Sequence, residues 1–174
     1  MTDLEICRDE ASFAEECSRL VMLTASKLVP MGAHAAVAES LTGGLISSEI
    51  VRAAGSSRWF KEGCVTYAEE AKIRRLGVLP ESIERFTAVS SKVAGEMAAG
   101  VLNSSESDIA VAATGLAGPG ADEYGRPAGL VFIGGACRQG FVTKKLSLSG
   151  DRLEVRRQAA LAALRLLAAL AELL

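Results

Sequence analysis

The sequence predicts an α/β fold, a single three-layer α/β/α domain built on a mixed sheet. Three patterns carry that expectation. Helical periods alternate with short apolar runs through residue 114, two further apolar runs flank a tight turn at 138–140, and a long helical period closes the chain. Its 174 residues suit one domain, and without low-complexity linkers or repeats residues 1–174 read as one unit.

The elements follow in order. Residues 11–29 carry Phe13, Leu20, Leu23 and Leu28 at helical spacing, with Pro30 as the stop. Ala35–Glu39 is a buried strand. Thr42, Gly43 and Gly44 open a helix over 45–54 that Gly55 terminates. A strand over 64–67 precedes a short helix, Glu69–Leu76, and Pro80–Phe86 adds one or two turns with proline at its start. The Ala-rich stretch 91–102 is helical, capped by Ser90 or Ser91. A buried strand over 108–114 runs into the Gly- and Pro-rich loop 115–127. Leu130–Cys137 and 141–148 pair as a hairpin, and residues 151–174 form the last helix.

Composition narrows the function. Hydrophobic residues make up 49%, charged residues 23% and aromatic residues 5%, which excludes a disordered chain and an aromatic nucleic-acid platform. A net charge of −2 removes the basic excess that phosphate-backbone binding needs, so no nucleic-acid partner is expected. The apolar end, 159–174, is broken by Arg165 and Glu172 and is too short to span a bilayer, and the acidic N-terminus lacks a secretory pattern. Cys7, Cys17, Cys64 and Cys137 lie far apart and read as buried free thiols, which points to a cytoplasmic protein. His34 is the sole histidine, better placed as a loop or strand-edge residue than as a catalyst. No metal site and no cofactor are expected.

Three strand-to-loop transitions share small and polar residues: 39–44, 67–72 and 114–120. Ligands in α/β sheets collect beyond the carboxyl ends of strands, where such segments converge. At the first, Ser40 precedes glycines whose N–H groups would hold a phosphate or an oxyanion; equally, Ser40 or Thr42 simply caps the helix. Lys72 is either a solvated charge beside Arg74 and Arg75 or a general base with its pKa lowered by burial. Tyr67 orients that amine, contacts a ligand, or merely ends its strand. Thr114 and Gly115 open a loop whose small residues admit a ligand. Arg152, in the first turn of the last helix, opposes the helix dipole and calls for an anionic partner, Asp151 or a ligand phosphate.

Taken together, VAESLTGGLIS (37–47), the run 53–78 ending in CVTYAEEAKIRRLGV, AVS (88–90), ATGLAGPG (113–120), RPAGLVFIG (126–134) and GDRLEVRRQAALAAL (150–164) resemble the C-terminal domain family of the competence/damage-inducible protein CinA, which also occurs as a stand-alone nicotinamide-nucleotide amidase. The resemblance implies hydrolysis of the carboxamide of nicotinamide mononucleotide to nicotinate mononucleotide and ammonia, without metal or cofactor. It makes Ser40 the nucleophile, Lys72 its base and Tyr67 their neighbour. Thr42, Gly43, Gly44, Thr114, Gly115 and Arg152 become substrate-binding residues, with Gly43 and Gly44 as backbone donors. The chain departs from the family pattern at Leu41, Ala68, Leu130 and the run 87–91, where Thr87 and Ser91 stand in place of glycine and glutamate. A catalytically weak or inactive module that binds a nucleotide or a partner is the alternative. The final helix, apolar on more than one face, suggests a homodimer.

Overall fold

The computed structural model describes residues 2–174. Two N-terminal helices, α1 (Asp3–Arg8) and α2 (Glu10–Met31), precede strand β1 (Ala35–Glu39) and helix α3 (Leu45–Val51). Strand β2 (Phe60–Val65) leads into helices α4 (Glu69–Leu76), α5 (Pro80–Phe86) and α6 (Ser91–Ser105). Strands β3 (Ile109–Gly115), β4 (Leu130–Cys137) and β5 (Gly140–Ser147) and helix α7 (Arg152–Ala171) complete the chain. The sheet has the order β2-β1-β3-β4-β5, parallel among the first three strands and antiparallel from β3 to β5. It is the mixed three-layer α/β/α fold that the alternation predicts.

Strand alternation sends successive side chains to opposite layers. Val37, Ile109, Val111, Val131 and Ile133 point to the layer of α2, α3 and α7, where Phe13, Leu28, Ile46, Leu161, Leu164 and Leu167 fill the core. Each such side chain contributes roughly 1.5–3 kcal/mol by leaving water. Ala36, Ala38, Ala110, Ala112 and Ala136 point the other way, toward Val93, Met97 and Val101 of α6. Small residues let that helix sit close. A Cβ on Gly134 would lie 2.2 Å from the Ala94 carbonyl oxygen, and one on Gly100 would lie 2.0 Å from that of Leu76, at the end of α4. The chain crosses from β1 to β2 through α3 on one face and returns from β2 to β3 through α4–α6 on the other.

Several boundaries differ from the sequence reading. Thr2 and Glu5 form a capping box that starts the unpredicted α1. Pro30 sits inside the last turn of α2 rather than stopping it. Left-handed Gly32 ends the helix instead, and its neighbour Ala33 donates to the Leu28 carbonyl at 3.0 Å. Helix α3 stops at Val51 because turns over 52–58 carry Trp59 into the core, where it is 1% exposed. The second strand occupies Phe60–Val65, not 64–67; as an edge strand it alternates half-buried Phe60, Glu62 and Cys64 with exposed Lys61, Gly63 and Val65. All four cysteines are free, but Cys64 and Cys137 are only half-buried. Burial pushes the Cys7 and Cys64 thiols up to about 12 and about 11, so neither is a thiolate at neutral pH.

The apolar faces of α7 are used within the chain: α1, α2 and α3 pack on one side and β3 and β4 on the other. Leu173 and Leu174, beyond its end, stay exposed. No helix among the described residues is long and apolar enough to cross a membrane.

Candidate active site

The carboxyl ends of the three parallel strands open onto one cleft of about 500 Å³. Ser40 follows β1, Tyr67 comes just after β2, and Thr114 and Gly115 end β3; all four line the cleft, with Lys72 from α4 and Arg152 from α7. His34 lies at the opposite end of β1, about 20 Å from Ser40 by strand rise, where its backbone N–H donates to Asp108 at 2.8 Å.

Lys72 is 1% exposed, and its Nζ lies 3.1 Å from Ser40 Oγ, 2.7 Å from the Thr66 carbonyl oxygen and 3.0 Å from that of Tyr67. Desolvation lowers its pKa from 10.5 to about 8, although nearby Glu69 works in the opposite direction. Three acceptors match the three N–H donors of an ammonium. A neutral amine would spend two N–H groups on the carbonyls and turn its lone pair to the Ser40 hydroxyl. Tyr67 holds the amine through its carbonyl; its side chain is 64% exposed and stands at the rim.

The turn that presents Ser40 is held from two sides. Within the core, the fully buried Glu39 carboxylate accepts from the N–H groups of Gly44 (2.9 Å), Ile46 (3.2 Å) and Ser47 (2.9 Å) and from the Ser47 hydroxyl (2.7 Å). From α7, Arg156 donates to the carbonyls of Leu41 (3.2 Å) and Thr42 (2.6 Å). These bonds correct the expected role of the glycines. The Gly44 N–H is taken by Glu39 and the Gly43 N–H by the Ser40 carbonyl at 3.1 Å, so neither is open to a ligand. Thr42 is fully buried, and Thr42, Gly43 and Gly44 lie outside the cleft lining. By contrast, the N–H of Leu41, which does line the cleft, has no acceptor among the described residues. Sequence reasoning passed over Glu39 and Arg156. Their signals were an acid just before a helix N-terminus and an arginine one turn after Arg152.

At the end of β3, Thr114 Oγ1 donates to the Ala88 carbonyl at 2.8 Å, so this hydroxyl fixes the cleft wall. A Cβ on Gly115 would meet the Leu130 carbonyl oxygen at 2.6 Å, which explains the glycine there. Arg152 donates to the Gly118 carbonyl; Asp151, one of the two anionic partners expected for it, instead caps α7 by accepting from the Glu154 N–H at 2.8 Å.

Comparison with known proteins agrees with this architecture. The family model of the CinA C-terminal domain matches residues 18–171. A CinA-like protein of Kosmotoga olearia is 45% identical over 133 residues, covering 76% of this chain and 32% of its own length. The chain thus spans about a third of the length of the curated relatives it matches. Among solved structures, the competence/damage inducible protein CihA from Agrobacterium tumefaciens superposes with a TM-score of 0.85 at 37% identity, over 89% of this chain and 95% of that one. A competence or damage-inducible protein from Enterobacter asburiae gives 0.86 at 36% identity, over 89% and 98%. With the family model matching residues 18–171 and solved family structures superposing over 89% of its length, the chain belongs to the CinA C-terminal domain family.

Proposed function

We propose that this chain, acting over residues 1–174 as one catalytic unit, hydrolyses the carboxamide of nicotinamide mononucleotide to nicotinate mononucleotide and ammonia. One observation carries the reading: a buried amine, its pKa lowered to about 8, stands 3.1 Å from a serine hydroxyl at the mouth of a nucleotide-sized cleft.

In the mechanism, neutral Lys72 takes the Ser40 proton as Oγ attacks the carboxamide carbon. The C–O bond forms and negative charge gathers on the former carbonyl oxygen. The Leu41 N–H, which follows the nucleophile and has no protein acceptor, is the donor assigned to that oxyanion. The Lys72 ammonium returns its proton to the departing nitrogen, and the C–N bond breaks to release ammonia. Water then attacks the acyl-serine carbon and gives a proton to Lys72; the C–Oγ bond breaks, Lys72 returns that proton to Ser40 Oγ, and nicotinate mononucleotide leaves as the carboxylate. Arg152, Tyr67, Thr114 and Gly115 form the substrate-facing wall, and Arg152 carries the positive charge suited to an anionic part of the nucleotide.

The substitutions at family positions leave this pair intact. Leu41 gives an apolar side chain to the cleft, Ala68 opens α4 without a side-chain cap, and the Leu130 carbonyl accepts from the Leu116 N–H at 2.9 Å. Free thiols suit a cytoplasmic setting. Exposed Phe141 and Val142 on edge strand β5 support a homodimer, which light scattering at micromolar concentration checks.

The deciding experiment is ammonia release from a panel of pyridine nucleotides and simple amides. Turnover of nicotinamide mononucleotide that vanishes in Ser40→Ala and Lys72→Ala supports the amidase. Binding with no turnover in the native chain overturns it in favour of a binding module.

A further inference from the structure

One backbone position next to the cleft lining, just before Ala88 and Val89, is strained. Thr87, which ends α5, has φ 65° and ψ 163°, a region that glycine enters freely and that a β-branched residue avoids. The other non-glycine residue with positive φ among the described residues, Glu106, has φ 51° and ψ 41° and is an ordinary left-handed helix cap. Strain of the Thr87 kind persists only where the surroundings over-determine it. Here the Thr87 N–H donates to Ile83 at 2.8 Å, and its carbonyl accepts from the Ser90 hydroxyl at 2.9 Å. These bonds hold the backbone but give no reason for a side chain. The hydroxyl does.

Arg126 supplies that reason. Its Nη1 donates both to Thr87 Oγ1 and, at 3.0 Å, to the Val89 carbonyl; its Nε donates to Asp122 at 2.7 Å. Asp122 in turn accepts from the Arg126 and Tyr124 N–H groups at 2.9 and 3.1 Å, closing 122–126 into a small turn. The guanidinium therefore joins two segments that both line the cleft: Ala88 and Val89, and Gly118 to Asp122. A glycine at 87 would remove both the strain and the acceptor.

We infer that Thr87 and Arg126 are positioning residues that set substrate recognition, with the Arg126 guanidinium latching the 116–129 loop to the strained Thr87–Val89 linker and fixing the width of the cleft. The inference rests on the amidase reading for its substrate but not for its geometry. Neither residue reaches Ser40 or Lys72, so the latch acts on binding and not on bond breaking.

The test combines hydrogen exchange with steady-state kinetics on the full chain. Thr87→Gly leaves the melting temperature within about 2 °C of native, since lost strain offsets the lost bond and the freer unfolded chain. It speeds exchange of the 116–129 amides by about tenfold and raises KM for nicotinamide mononucleotide about 5–10-fold, with kcat within about twofold. Thr87→Ser, which keeps the hydroxyl, returns both to within about twofold of native. Arg126→Gln reproduces the glycine variant, and the double variant is no worse than Arg126→Gln alone, as coupled partners require. Unchanged loop exchange in Thr87→Gly overturns the inference, as does a serine variant that behaves like glycine, or exchange that rises throughout the molecule with a lower melting temperature. If the native chain turns over no pyridine nucleotide, the amidase reading falls, and the exchange results still decide the latch.

Discussion

The two walls of the cleft are built by different means. The wall of the proposed nucleophile is built of buried and half-buried groups: Lys72 is held by two carbonyls and Ser40, and the Ser40 turn is fixed by four bonds to Glu39 and two to Arg156. The facing wall is the 116–129 loop with Tyr67 and Arg152, side chains that stand in solvent and rely on a few bonds to backbone carbonyls. Chemistry requires fixed distances and low dielectric, whereas recognition tolerates adjustment. The contrast predicts that damage to the first wall costs rate, and damage to the second costs affinity.

The largest effect belongs to Lys72. Replacement by Met keeps the volume but removes the proposed base, and kcat should fall by at least about 10³-fold with KM changed less than about threefold. A loss shared equally by KM would erase the distinction between the walls. Next is Glu39→Ala, which leaves four donors, one buried and three half-buried, without their acceptor and should cost roughly 2–4 kcal/mol of stability in denaturant titration. Glu39→Gln should recover only part of this, because its amide NH₂ faces other donors. A turn that tolerates alanine within about 0.5 kcal/mol is not held by that carboxylate.

Lys72 also couples the first wall to pH. Its folded pKa of about 8 lies below the ordinary 10.5, so between these values the unfolded chain binds more protons and stability rises with pH. Relative to Lys72→Met, the native chain should gain about 3 kcal/mol from pH 7 to pH 11, an upper limit from 1.36 kcal/mol per pKa unit. Over the same range kcat/KM should rise on a limb centred near pH 8, as the amine loses its proton. A limb centred near 10.5 would mean that burial does not tune the base.

How much of this contrast can be read without coordinates depends on where apolar pattern and function coincide. Ala35–Glu39 and Leu130–Cys137 are legible because both faces are covered and every side chain can be apolar. Strand β2 is obscured because edge exposure inserts Lys61 and Glu62 into its run. Ser40 and Lys72 are 32 residues apart, and periodicity says nothing of their meeting; only the family resemblance pairs them. Gly43 and Gly44 suggest open N–H donors, but that inference depends on the helix start being unclaimed. Glu39, the residue just before Ser40, claims it. A buried acid's partners lie in three dimensions, and its side-chain type alone does not disclose them.

On the recognition wall, effects should be smaller and fall on binding. Arg152 is exposed and bonded to the Gly118 carbonyl, so Arg152→Ala loses one charge in a solvated setting. An increase in KM of about 5–20-fold with kcat nearly constant corresponds to about 1–2 kcal/mol, the range for a hydrogen bond to a charged group. Arg152→Lys should restore part of it. Loss confined to kcat would move Arg152 into the chemical machinery and break the division between the walls.

The smallest effect lies where the walls meet. Ala68 is the N-cap of α4, the helix that carries Lys72, and it makes no side-chain capping bond. Its backbone is already extended, at φ −76° and ψ 155°, the conformation a capping serine uses. Ala68→Ser would let a hydroxyl accept from the N–H of Glu70 or Ala71 and should stabilise the chain by about 0.5–1 kcal/mol, raising the melting temperature by about 1–4 °C. If the gain appears and the alkaline limb near pH 8 stays in place, the helix start is adjustable independently of the amine. A shifted limb would instead show that Lys72 is tuned by how tightly α4 is anchored at Ala68, placing that residue on the nucleophile wall.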